Sequence, residues 1–243
     1  MPICSREEME RAIRTPLHTD SVGAGLYRQG YRKHGIDFWA LEPGSAVRRF
    51  METQAGRDWA ASSVLDVGAG TGKNLLEFVR YGVGRAVGVE IDAYAVSALL
   101  HALAAIEDVF SVPEHVVEVL KADARSYLAH SAETFDVVIC YGLLHVFKES
   151  EVLDEVAELL ARRVAPGGTL IIQAITAKYP PPMSQPELSG IVLTTAWLRH
   201  AYREPDWSID YVDETDIEHS HAGSEDNHRH GSVRAVFTRR NPS

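Results

Sequence analysis

Val64 to Asn74 reads Val-Leu-Asp-Val-Gly-Ala-Gly-Thr-Gly-Lys-Asn, and these residue types at this spacing are the chain's clearest invitation to chemistry. An apolar run carries an acid, Asp66, and then meets glycines at 68, 70 and 72. Glycine lets the backbone approach a ligand at angles that a side chain forbids. A loop at the carboxyl end of a strand in an open α/β sheet is where nucleotide-like ligands bind. A second apolar run, Arg85 to Glu90, also ends in an acid. A carboxylate there offers two oxygens to two vicinal donors, the pattern a ribose presents. A third run, Val116 to Leu120, precedes Asp123, and a fourth, Phe135 to Tyr141, precedes His145.

Two further clusters carry imidazoles: Glu218-His219-Ser220-His221 and Asn227-His228-Arg229-His230. Histidines at i and i+2 project from one face of an extended segment. Four of them near a hairpin tip could bind zinc, act as general bases, bind an acidic substrate, or stand in a solvated loop. No metal is expected in the preferred reading.

Three cofactors compete for the glycine loop. A dinucleotide fold asks for G-x-G-x-x-G, and Lys73 stands where the third glycine belongs. A Walker loop asks for G-x-x-x-x-G-K-[ST]; here the spacing is one residue short and Asn74 lacks the magnesium-binding hydroxyl. The third pattern, D-x-G-x-G-x-G, resembles motif I of the class I S-adenosylmethionine-dependent methyltransferases. The later motifs agree in order and spacing: Glu90, Asp123, the strand Phe135–Tyr141 with its loop, and Val164-Ala165-Pro166-Gly167-Gly168-Thr169 before a fifth strand. Together they cover residues 63 to 174.

The resemblance implies a Rossmann-like, doubly wound α/β fold with a seven-stranded, mostly parallel sheet whose last strand is antiparallel. It implies S-adenosylmethionine as cofactor. Asp66, Gly68, Ala69, Gly70 and Asn74 would hold it at the first strand, with Glu90 and Ile91 at the second. Asp123 and Ala124 follow the third strand, where the family accepts the adenine amino group, and Tyr141 ends the fourth. Asp123 reads equally well as the N-cap of a helix to His130, and both roles can coexist. The His-x-His pair near the end of the sixth strand, with Tyr141-Gly142-Leu143-Leu144-His145, is also similar to small-molecule methyltransferases of the tellurite-resistance type.

The elements that must position these residues follow from periodicity. The pattern predicts strands at 63–67, 85–90, 115–120, 135–140 and 168–174, alternating with helices at 72–81, 93–107, 123–130 and 149–163. Val152, Val156, Leu159, Leu160 and Val164 would face the sheet from the last of these helices. A helix at Ser45 to Thr53, capped by Ser45 after Pro43-Gly44, precedes them. A charged helix is expected at Ser5 to Arg14. After the fifth strand, the prolines at 180–182 make a stiff extended stretch. Ser189 to Tyr202 reads as a helix, and Trp207 to Ile217 and Ser232 to Arg239 as strands joined by a polar turn. In the family that turn lies on the ligand side. Residues 1–60 read as a helical, aromatic cap and 61–243 as the methyltransferase domain, with an insertion at 176–203.

Length and composition agree: 243 residues, 45% hydrophobic and 24% charged, suit one α/β domain with an ample core. Two cysteines, Cys4 and Cys140, form no disulfide framework, which points to a reduced, cytoplasmic setting. No apolar stretch is long enough to span a membrane, and Met1 to Asp20 is too charged for a secretory signal. The net charge of −10 disfavours a nucleic acid substrate, since phosphates demand clustered Lys and Arg. Arg162-Arg163 and Arg239-Arg240 are isolated pairs.

The expected function is methyl transfer to a small organic acceptor, with a protein or peptide methyltransferase, or a cofactor-binding accessory protein without methyl transfer, as alternatives. An oxidoreductase is a remote fourth. His145 is the first choice for a catalytic residue and His221 the second. Tyr31, Trp39, Tyr179, Trp197 and His219 are expected to contact substrate. Tyr27 and Phe38 belong to the same aromatic N-terminal segment, with Phe38 read as an anchor to the sheet. The acceptor atom and the oligomeric state are not encoded in any motif.

Overall fold

The computed structural model describes residues 42–110, 112–113, 116–180, 188–219 and 228–242, with Pro2, Ser5 and Glu8. Seven strands form one sheet: β1 (Ser63–Val67), β2 (Arg85–Glu90), β3 (Val117–Lys121), β4 (Phe135–Tyr141), β5 (Val164–Thr176), β6 (Trp207–His219) and β7 (His228–Arg239). Their order is β3-β2-β1-β4-β5-β7-β6. β1 pairs in parallel with β2 and with β4, so the chain reverses its winding at β1. β7 is antiparallel to both β5 and β6. The carboxyl ends of β1, β2, β4, β5 and β6 therefore share one edge of the sheet, as the family resemblance implies.

The helices are α1 (Ser45–Thr53), α2 (Lys73–Arg80), α3 (Ala93–Phe110), α4 (Ala124–His130), α5 (Ser150–Arg163) and α6 (Thr195–Ala201). Strand alternation splits the core between two faces. One face puts Val64, Ala86, Val137, Ile139 and Ile171 against α1, α2 and α3, with Trp59 edge-on to Phe78 at 5.2 Å between ring centres. The other puts Leu65, Val67, Val87, Val138 and Ile172 against α4, α5 and α6. Val156, Leu159, Leu160 and Val164 are buried as expected, but Val152 is only half-buried and Leu153 takes the inward position.

Three expectations are corrected. β5 starts at Val164, because Phe135 pairs with Val164 and Val137 with Thr169; the turn at 165–168 is carried as an irregularity of the strand. The helix expected from Ser189 shrinks to α6. Gly190 adopts φ +72, Ala177 donates its N–H to the Leu193 carbonyl, and only Thr194 opens a helix, its hydroxyl capping the Trp197 N–H at 3.0 Å. Ser45 is not the cap of α1: Gly44 holds that position without a side-chain bond, and the Ser45 hydroxyl donates to Gln173 instead.

Candidate functional site

The glycine turn leaves β1 at the winding reversal, between the ends of β2 and β4. Gly68, Gly70 and Gly72 have φ of +74, +57 and +90, all in the left-handed region that L side chains avoid. The N–H groups of Gly68 and Ala69 both reach the Val89 carbonyl, at 2.8 and 3.0 Å, which binds the turn to β2. A Cβ on Gly72 would stand 2.2 Å from Leu99 Cδ1, so glycine is also what lets α2 start this close to α3.

Asp66 is fully buried beneath this turn, and neither carboxylate oxygen has a hydrogen-bond partner. Burial pushes its pKa up to about 7, with the Glu90 carboxylate adding to the rise. Lys73 opposes it; the Leu75 backbone N–H contributes least and does not reach hydrogen-bond geometry. Lys73 is itself only 9% exposed, and its ammonium lies 4.3 Å from the centre of the Tyr141 ring. Desolvation lowers its pKa to about 8, against the pull of Asp66.

Glu90 is committed to the turn more firmly than a ribose acceptor requires. One oxygen accepts the Gly70 N–H and the other the Asp92 N–H, both at 2.8 Å. Each oxygen keeps a second lone pair, so the carboxylate can brace the turn and still meet a diol. Ile91, next in sequence, is 63% exposed and presents apolar surface at the same edge. Asp123 is the N-cap of α4, accepting the Ser126 N–H at 2.8 Å, and Ala124 is buried behind it.

The segment before α1 meets the turn from the other side. Gly44 donates its N–H to Asn74 Oδ1 at 2.8 Å. A Cβ on Gly44 would lie 2.2 Å from the Tyr141 ring, so the two are in close contact. Gln173 Oε1 accepts from Ser45 Oγ at 3.1 Å and from the Ala46 N–H at 3.3 Å. Lys73, Gly44 and Gln173 escaped the sequence reading. Lys73 counted there only as a mismatch to other glycine loops, and Gln173 is a polar residue on an apolar strand, a signal that was available.

His145 falls in a short 3-10 turn, Leu144–Val146, and is 1% exposed. The Ile175 N–H faces its Nδ1 at 3.5 Å, and Lys148 Nζ donates to its carbonyl at 2.8 Å. Burial, with Lys148 and His230 nearby, drives its pKa down to about 3. Such an imidazole stays neutral and is weakly basic, a poor choice for a general base at neutral pH.

The expected substrate residues scatter. Tyr179 donates its hydroxyl to Asp216 at 3.0 Å, and Lys178 and Arg229 pair with the same carboxylate, clasping the exit of β5 to β6 and β7. Trp197 donates its indole N–H to Asp154 of α5 at 2.7 Å, which makes it a helix-packing residue on the opposite face of the sheet. His219 pairs with His228 in the strand register. Tyr27, Tyr31, Phe38, Trp39 and His221 lie outside the described residues. Among the described residues no group of three or more metal-ligating side chains converges, and no helix is long and apolar enough to cross a membrane.

A family profile described as a methyltransferase domain matches residues 65–172. A ribosomal protein L11 methyltransferase from Xanthomonas campestris pv. campestris (strain 8004) is 30% identical over 161 residues, 65% of this chain and 44% of that protein. The chain therefore spans less than half the length of that curated relative. A structure described for the conversion of a disulfide bond into a thioacetal group during echinomycin biosynthesis superimposes with a TM-score of 0.58 at 23% identity, covering 83% of this chain and 84% of that one. TehB from Haemophilus influenzae gives 0.62 at 15% identity, covering 82% and 62%. At these identities the structural likeness speaks to fold, not to acceptor.

Proposed function

We propose that this chain is a class I methyltransferase that binds S-adenosylmethionine at the glycine turn and transfers its methyl group to a small organic acceptor. The observation that carries the cofactor reading is Asp66: a buried carboxylate with two unsatisfied oxygens under a left-handed turn calls for a cationic ligand. The α-ammonium of the cofactor answers that need. Glu90 would take the ribose hydroxyls, and Ile91 would lie against the adenine, whose amino group Asp123 would accept.

When bound, the cofactor would supply an activated methyl on a sulfonium, with a neutral thioether as leaving group. What remains for the protein is alignment and exclusion of water. Orientation can contribute about 7–11 kcal/mol, whereas a general base adds about 10²–10⁴-fold. The turn, the Tyr141 ring and the Gly44 backbone packed against that ring would supply walls for that task. His145 serves this reading better as a buried support for the loop after β4 than as a base.

The net charge of −10 favours neutral or cationic acceptors over polyanions. A second reading, methylation of a protein, rests on the Xanthomonas relative, whose name assigns it a ribosomal protein. Incubation with methyl-labelled cofactor separates the two. Label in a low-molecular-weight fraction supports a small acceptor; label precipitating with cell protein supports the other. Failure to bind either S-adenosylmethionine or S-adenosylhomocysteine would remove both.

A further inference from the structure

The histidines at the ends of β6 and β7 take no part in the cofactor reading, yet the strand register brings three of them together. The two strands pair without a break from Tyr211 and Val236 to His219 and His228, where the ladder ends. His219 stands directly opposite His228, and His230 lies two residues further along β7, opposite Ile217. Residues two apart on a strand, and residues opposed across a ladder, share a face. His219, His228 and His230 therefore occupy one face at the end of the hairpin ladder. The side chains of His219 and His228 lie outside the described part of the structure, and the backbone register is what joins the three residues.

The spacing suits one ion. Opposed residues of an antiparallel pair have Cα atoms about 4.5–5.5 Å apart, and residues two apart on a strand are separated by about 7 Å. Imidazole nitrogens bind zinc at about 2.0–2.1 Å, so three rings rooted this closely can share an ion. The surroundings agree. Outward from the Asp213 and Arg234 pair, this face carries Thr215, Ile217, Ser232 and the histidines, with no ammonium or guanidinium. Glu214, Asp216, Glu218 and Arg229 fall on the opposite face, where Asp216 pairs with Lys178 and Arg229. His230 is 6% exposed and Ile217 36%, so the face is enclosed toward β7 and open at the β6 rim. Three neutral nitrogen donors select zinc and its borderline neighbours, whereas calcium and magnesium take oxygen ligands.

We propose that His219, His228 and His230 form a three-histidine site for a divalent transition-metal ion of the zinc type, which fastens the ends of β6 and β7 together and keeps a fourth tetrahedral position open. The site is separate from the glycine turn. Tyr141 is level with Gln173, Arg234 and Asp213 across the sheet. From Asp213 to His219 the ladder runs six residues further, about 20 Å beyond the end of β4.

The test is calorimetric titration of zinc chloride into the full chain after chelator treatment and dialysis. The wild type should take up one equivalent. His219→Ala, His228→Ala and His230→Ala should each weaken uptake by more than the roughly 10–100-fold that losing a supporting hydrogen bond costs a metal site. His130→Ala, which removes an exposed histidine on α4, should leave it unchanged. If His230→Ala does not fold, His230→Gln takes its place. Zinc should also slow amide exchange at 215–219 and 228–232, which locates the ion without any substitution. Cobalt in place of zinc should give the strong visible absorption of a four-coordinate ion. No uptake by the wild type, uptake that survives in all three variants, or unchanged exchange at the hairpin overturns the site. None of these outcomes bears on the cofactor reading, because the glycine turn, Asp66 and Glu90 contribute no ligand.

Discussion

At the scale of single residues, Glu90 carries the most divided duty. The family resemblance proposes it as the ribose acid, and in the structure both oxygens already hold backbone N–H groups of Gly70 and Asp92. Removing it should therefore hurt the protein before any ligand arrives. Two partly buried donors lose their acceptor in Glu90→Ala, a cost of about 1–3 kcal/mol per group. Glu90→Gln keeps one acceptor oxygen, so it should lose roughly half as much stability. Both variants should weaken binding of S-adenosylhomocysteine at least tenfold, read by calorimetry on protein that remains folded by circular dichroism. Wild-type affinity in either would misplace the ribose. Gly44 offers a contrasting case, in which only space matters. Its φ of −53 suits any residue, but an added methyl collides with the Tyr141 ring at 2.2 Å. Gly44→Ala should cost about 1–3 kcal/mol in thermal unfolding through overpacking and displace the ring from Lys73. An unchanged melting temperature would show that the segment before α1 yields freely.

At the scale of elements, the strands of the parallel half were readable because each is a continuous apolar run closed by a polar or glycine residue. β1 and β2 have the predicted limits, and β4 runs one residue further. Alternation with helices then implies the winding, and Asp123 announces its cap by residue type. Legibility fails where tertiary contacts override local pattern. Ile191, Val192 and Leu193 fit a helical stripe, but Gly190 and the Ala177–Leu193 bond hold them outside the helix. Trp197 looked like a substrate aromatic because sequence gives no sign of Asp154 across from it. The docking of α1 was equally hidden: its first turn is fastened to β5 by the carboxamide of Gln173, 128 residues from Ser45 in sequence. Gln173→Leu keeps the size and removes the acceptor for both Ser45 Oγ and the Ala46 N–H. A loss of about 1–3 kcal/mol is expected, with faster amide exchange confined to the first turn of α1. Exchange rates equal to wild type would mean that packing of Val47 and Phe50 alone fastens the helix.

At the scale of the whole molecule, two buried groups at the same edge of the sheet oppose one another as pH changes. His145 has a folded pKa of about 3, below its ordinary 6.5. Its neutral form is the one the fold tolerates, so stability is intact above 6.5 and is lost as pH falls toward 3. Asp66 has a folded pKa of about 7, above its ordinary 3.8. Its protonated form is the better tolerated one, so stability is greatest below 3.8 and is lost as pH rises to 7. Between about pH 4 and 6.5 acidification therefore removes stability through His145 and returns it through Asp66, each by up to a few kcal/mol. The wild-type melting temperature should vary little across that interval. His145→Gln takes away the destabilising titration, so its melting temperature should rise as pH is lowered from 7 to 4. Asp66→Asn takes away the opposing one and should fall more steeply than wild type over the same range. Thermal unfolding at half-unit pH steps separates the three profiles, and the difference between variants cancels the exposed carboxylates, which are common to all. Parallel profiles would mean that water reaches both groups in the folded chain, and the exclusion of water that the proposed methyl transfer requires would lose its support.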